Sequence, residues 1–71
     1  MTAEQAAHVR GYLSGVEFCA KRVRMLCDVI KRNRGRVARD ERMCMDGAIG
    51  ALEDVAKAFD DAVAAGKAEF L

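Results

Sequence analysis

Val9, Val16, Val23, Ile30 and Val37 recur every seven residues, so five β-branched side chains share one register. That spacing keeps one seam of an α-helix turned toward a neighbouring helix, and β-branched residues suit knobs-into-holes packing there. Counting Val9 as the first heptad position, Tyr12, Cys19 and Leu26 stand three residues on, and Leu13, Ala20 and Cys27 four residues on. Together these lines predict the main seam of a first helix. A second apolar line, Phe18, Met25 and Val29, lies well round the helix, and the polar surface shrinks to a strip holding Arg10, Ser14, Glu17, Lys21, Arg24, Asp28 and Lys31. A helix patterned this way needs more than one neighbour.

Local chemistry sets the limits of that helix. Thr2-Ala-Glu-Gln5 is a capping-box pattern and predicts a start near residue 2. Gly11 and Gly15 each cost about 1 kcal/mol in a helix interior, and Ser14-Gly-Val-Glu17 is a second capping box, so a break or kink there is the alternative. The unbroken register from Val9 to Val16 favours one helix. Asn33-Arg-Gly35 predicts the stop, with Gly35 suited to a left-handed cap and Lys31, Arg32 and Arg34 complementing the helix dipole. Val37 then continues the count of seven from the turn, where it covers the end of the core.

The second half repeats the logic. Met45, Leu52 and Phe59 are seven apart, flanked by Ala48, Val55 and Ala62 on one side and by Ile49, Ala56 and Val63 on the other. Ala51, Ala58 and Ala65 widen this seam with small side chains that permit close approach. Asp40 and Glu41 sit where a helix start favours acids, and Gly66 is the expected end. The reading is all-α: one domain over residues 1–71, with a helix at about 2–33, a turn at about 34–39, a helix at about 40–66 and a short tail. Two such helices form an antiparallel hairpin, and pairing of hairpins into a homo-oligomeric bundle would cover the leftover apolar line. Val9, Val16, Val23, Leu26, Ile30, Phe18, Met25, Val29, Leu52 and Phe59 are the expected oligomer seam.

Composition agrees with this outline. A chain of 71 residues without proline, with 6% aromatic and 32% charged residues, suits a helical protein too small to be comfortably stable alone. No apolar run approaches the roughly 20 residues that span a bilayer, and the amino terminus lacks a signal-peptide core, so the expectation is a cytoplasmic protein with no membrane partner. Cys19, Cys27 and Cys44 are odd in number and not in close pairs, and His8 has no nearby partner, which predicts reduced, buried thiols and neither metal nor cofactor. No constellation for acid–base or nucleophilic catalysis is present, which predicts a protein that is not an enzyme.

The net charge of +1 hides a division. Residues 1–42 hold ten Lys or Arg against five acids, and residues 43–71 hold two against six. Arg32, Arg34, Arg36, Arg39 and Arg42 crowd the turn, while Asp46, Glu53, Asp54, Asp60 and Asp61 line the second helix. Arginine's planar fork suits carboxylates and phosphates, so the turn is the candidate docking site for an acidic protein, a nucleotide or nucleic acid. The acidic second helix and the lack of aromatic residues near the cluster count against nucleic acid. The leading expectation is an oligomeric protein-binding module.

Gly11-Tyr12, Leu13-Ser14-x-x-Glu17, Met25-Leu-Cys-Asp-Val-Ile30-Lys31, the Asp40-x-Arg42 step and Ala62-Val-Ala64 resemble the small helical-hairpin sponges with which phages capture cyclic nucleotide signals of bacterial defence. The chain departs from them in a longer spacing between its Gly-Tyr and Ile-Lys elements, and in Met43, where an aromatic residue is expected. The resemblance implies a phage protein acting in the host cytoplasm, with Tyr12 stacking on a base and Lys31 or Arg42 contacting phosphate between subunits. For Tyr12 the alternative, read from the heptad, is ordinary seam packing.

Overall fold

The computed structural model describes residues 1–70. Helix α1 runs Ala3–Asn33, a short 3-10 turn follows at Arg34–Arg36, and helix α2 runs Arg39–Phe70 antiparallel to α1. The capping box is formed: Gln5 N–H donates to Thr2 Oγ1 at 3.1 Å and Thr2 N–H to Gln5 Oε1 at 2.9 Å. Helix α1 passes through Gly11 and Gly15 without interruption, and Glu17, free of any capping duty, reaches Lys67 instead.

The first helix closes differently from expectation. Gly35 is not left-handed; no glycine among the described residues has positive φ. The helix closes another way: Arg34 N–H bonds to Lys31 O, one of the last carbonyls of α1, and the Asn33 side-chain amide adds a bond to Val29 O at 2.9 Å. A tightened 3-10 turn takes the place of a left-handed cap. Val37 is half-buried in extended conformation, and Ala38 O accepts the first α2 bond, from Arg42 N–H, at 2.9 Å.

The seam takes one of the two lines offered beside the valines. Leu13, Ala20 and Cys27 are buried, and Val9, Val16, Val23 and Ile30 are half-buried next to them. Tyr12, Cys19 and Leu26, counted toward the same seam, are exposed, Tyr12 by 70%. On α2 the flank chosen is Ile49, Ala56 and Val63 with Met45, Leu52 and Phe59, whereas Ala48, Val55 and Ala62 face out. The physical reason is size. Ala20, 1% exposed, and Ala56, 2% exposed, let the two backbones approach closely, and Tyr12 in that line would hold them apart. Of the three cysteines expected to be buried, only Cys27 is; Cys19 and Cys44 are free and exposed.

Nor does Gly66 end α2, which continues to Phe70. An added Cβ at Gly66 would lie 2.6 Å from Leu13 Cδ2, so the glycine is a recess that seats the leucine. A hairpin of two long helices is a slab: its principal extents are 55 × 15 × 10 Å and its radius of gyration is 16.4 Å, against about 11 Å for a compact chain of this length.

Candidate functional site

Successive heptads place one side chain on the same flank of a helix every two turns. On one flank of the slab this sets Glu17, Arg24 and Lys31 of α1 against Lys67, Asp60 and Glu53 of α2. Lys67 Nζ lies 2.6 Å from Glu17 Oε1, Lys31 Nζ 2.8 Å from Glu53 Oε1, and Arg24 forms a two-pronged pair with Asp60. The order is acid, base, base facing base, acid, acid. Sliding the helices by one heptad in either direction replaces three opposite pairs by one opposite and one like pair, Glu17 with Asp60 or Arg24 with Lys67, so the ladder favours the observed register. In the sequence Glu17, Arg24 and Lys31 belong to a polar strip, Glu53 and Asp60 to an acidic face, and Lys67 to the expected tail; the signal that reveals the ladder is their common seven-residue spacing with reversed sign.

At the turn, Arg34 is tied down. Its Nε and Nη2 donate to the two Asp46 oxygens at 2.6 and 2.9 Å. This bond holds the Asp46 carboxyl below its ordinary pKa, as Arg24 does for Asp60, and the neighbouring Arg42 adds to the effect on Asp46. The Lys31 ammonium is raised by its bond to Glu53 and by that carboxylate's charge. Arg42 is half-buried and its Nε is enclosed without a hydrogen-bond partner. Arg32, Arg36 and Arg39 are exposed, and the ion pairs among the described residues do not include them. The five arginines therefore divide into one clamp on Asp46, one buttress of the turn and three charges turned to solvent.

The opposite flank is apolar. Tyr12, Cys19 and Leu26 of α1 share it with Ala48, Val55 and Ala62 of α2, all exposed. Tyr12 lines a groove there with Val9, Ala62, Ala65 and Phe70, and His8 and Glu69 stand at the same groove. Phe18, Met25 and Val29 extend the apolar surface around the outer side of α1, where Arg22, Val23, Met25, Leu26 and Val29 line a second depression. Of the residues expected to mediate assembly, Val9, Val16, Val23, Ile30, Leu52 and Phe59 lie in the seam between α1 and α2, whereas Leu26, Phe18, Met25 and Val29 remain exposed.

The three residues implied by the sponge resemblance do not converge within one chain. Tyr12 and Lys31 are separated by 19 positions, about 28 Å along α1 at 1.5 Å per residue, and lie on opposite flanks. Among the described residues no group of three or more His, Cys, Asp or Glu is arranged to hold a metal ion, and no helix is long and apolar enough to cross a membrane. The chain matches no protein-family model, no curated protein and no solved structure.

Proposed function

We propose that this chain is a non-enzymatic binding protein that acts as a homo-oligomer of helical hairpins and engages an acidic protein surface through its arginine-rich turn. The observation that supports it is the division of the surface. Carboxylates facing α1 are engaged in the ladder, the opposite flank is apolar, and Arg32, Arg36 and Arg39, in and beside the turn, are exposed and take part in none of the ion pairs among the described residues. Exposed guanidinium groups close together recognise carboxylates by two-pronged hydrogen bonds, a geometry lysine does not reproduce. The proposed setting is the cytoplasm, the reducing compartment that suits three free thiols.

The test is affinity capture from the source cells with the wild-type chain and with a variant carrying Arg32→Ala, Arg36→Ala and Arg39→Ala. A partner protein retained by the first and lost by the second, with oligomeric mass unchanged, supports the reading. Equal capture by both overturns it. Co-purified RNA or DNA whose binding falls steeply with salt would replace it with a nucleic-acid reading.

One observation favours the cyclic-nucleotide alternative. Tyr12 offers an exposed ring in a groove of Val9, Ala62, Ala65 and Phe70, as a base-stacking residue would, and a subunit interface would have to bring a cation to offset the nearby Glu69. Thermal stabilisation by a cyclic nucleotide at near-stoichiometric concentration would support it. No shift across a panel of such nucleotides rejects it.

A further inference from the structure

The covering of the apolar flank can be carried further than self-association in general. The hairpin exposes 5375 Å², whereas a compact monomer of its mass exposes about 4,400 Å². The excess, roughly 1,000 Å², is close to the 800 Å² or so that each partner contributes to an ordinary stable interface. A second copy laid flank to flank removes an excess of that size and leaves the ion-pair ladders of both copies facing water.

Two flat hairpins stack with twofold symmetry in two ways. A twofold axis across the helices sets α1 on α1 and α2 on α2, with the turns at opposite ends. An axis along the helices sets α1 of each copy on α2 of the other, with both turns at one end. Two independent features separate these. On this flank α1 presents the large side chains of Tyr12 and Leu26, whereas α2 presents Ala48 and Ala62 with Val55 between them, so the crossed arrangement seats large against small where like-on-like stacking does not. Charge agrees: α1 carries six basic and three acidic residues and α2 four and eight, so like-on-like stacking opposes helices of the same sign.

We infer that two copies pair through this flank in the crossed arrangement, α1 of each over α2 of the other, with both arginine turns at the same end. The inference rests on the self-association proposed above and adds its geometry. An axis along the helices leaves every residue at its own height. Within a hairpin Leu13 is level with Gly66 and Arg24 with Asp60, which brings Cys19 of one copy level with Ala62 of the other. Both point from the apolar flank and both are exposed. Like-on-like stacking centred on α1 instead brings the Cys19 thiols of the two copies together, because Cys19 is one residue from the middle of that helix. The crossed pair also joins two sets of solvent-facing arginines into one basic end, a local repulsion set against the attraction between α1 and α2 along their length and one that an acidic partner would relieve.

Disulfide trapping tests this. In an equimolar mixture of a chain carrying Cys44→Ser with one carrying Cys19→Ser, Cys44→Ser and Ala62→Cys, neither of which holds both facing thiols in one hairpin, mild oxidation should give a disulfide-linked dimer, while the Cys44→Ser chain alone stays uncrosslinked. Sedimentation of both chains under reducing conditions reports self-association separately. A dimer that crosslinks equally well without Ala62→Cys overturns the crossed arrangement and assigns like-on-like stacking. A self-associated chain that forms no crosslink in either form overturns it as well. A monomer at every concentration overturns both the arrangement and the self-association beneath it.

Discussion

The two flanks of the hairpin are written in the same seven-residue spacing and end in opposite conditions. On one, Glu17, Arg24 and Lys31 meet Lys67, Asp60 and Glu53, and each side chain finds its partner inside the chain. On the other, Tyr12, Cys19 and Leu26 run beside Ala48, Val55 and Ala62, and all six are exposed. The charged flank favours the alignment that the buried seam of α1 and α2 also sets but adds little stability, because its groups are about half exposed and well hydrated. The apolar flank fixes nothing within the chain yet holds free energy that burial would release at roughly 25 cal/mol per Å². A heptad spacing thus shows that a stripe has a partner; the chemistry of the stripe decides whether the partner is the same molecule.

The sharpest way to break the comparison is to attack the seam that separates the flanks. Leu13→Ala should lower the stability of the hairpin by about 2–4 kcal/mol, read by urea unfolding, because it empties the recess over Gly66. Leu26→Glu should leave helix content unchanged and weaken self-association at least tenfold by sedimentation, since the change touches only the exposed flank. An unaltered sedimentation profile would remove that flank from the interface.

Gly66→Ala probes the recess from the other side. Helix propensity favours alanine by about 1 kcal/mol, and the Leu13 side chain opposes it, so the substitution should stabilise the Leu13→Ala chain more than the wild type, with a coupling above about 0.5 kcal/mol. Additive effects would show that the two residues do not touch in solution.

The smallest effects belong to the charged flank. Asp60→Asn should scarcely move the midpoint of thermal unfolding at neutral pH, and salt should erase what difference there is. The bonds from Arg34 and Arg24 lower the Asp46 and Asp60 carboxyls, so their contribution is full above the unfolded carboxylate value near ~4 and is lost as pH falls through the folded values. Lys31 is raised, so its share is full below ~10.4 and is lost as pH rises through its folded value. An acid limb that survives replacement of both Asp46 and Asp60 by Asn would point to other carboxylates.

Much of this fold is legible in the sequence because its signals are local. Thr2 and Gln5 cap α1 as their spacing dictates, and the valine register survives Gly11 and Gly15 because burial along a long seam outweighs two glycine penalties. What escaped is set across the gap between helices. The choice of Leu13, Ala20 and Cys27 over Tyr12, Cys19 and Leu26 depends on which backbones approach, and the retention of Gly66 inside α2 depends on a leucine more than fifty positions away. The arginines of the turn look alike in sequence, yet Asp46 claims Arg34, packing encloses Arg42, and Arg32, Arg36 and Arg39 are left outward.

The 3-10 turn at Arg34–Arg36 also bears on how the hairpin comes into being. Every pairing between α1 and α2 closes a loop through it, and the shortest loops, such as Arg34 to Asp46, lose the least chain entropy. Assembly therefore zips outward from the turn, reaching Glu17 with Lys67 late and the chain ends last. The first step draws a cluster of arginines together, so mutual repulsion opposes it there, and salt that screens this repulsion should ease it.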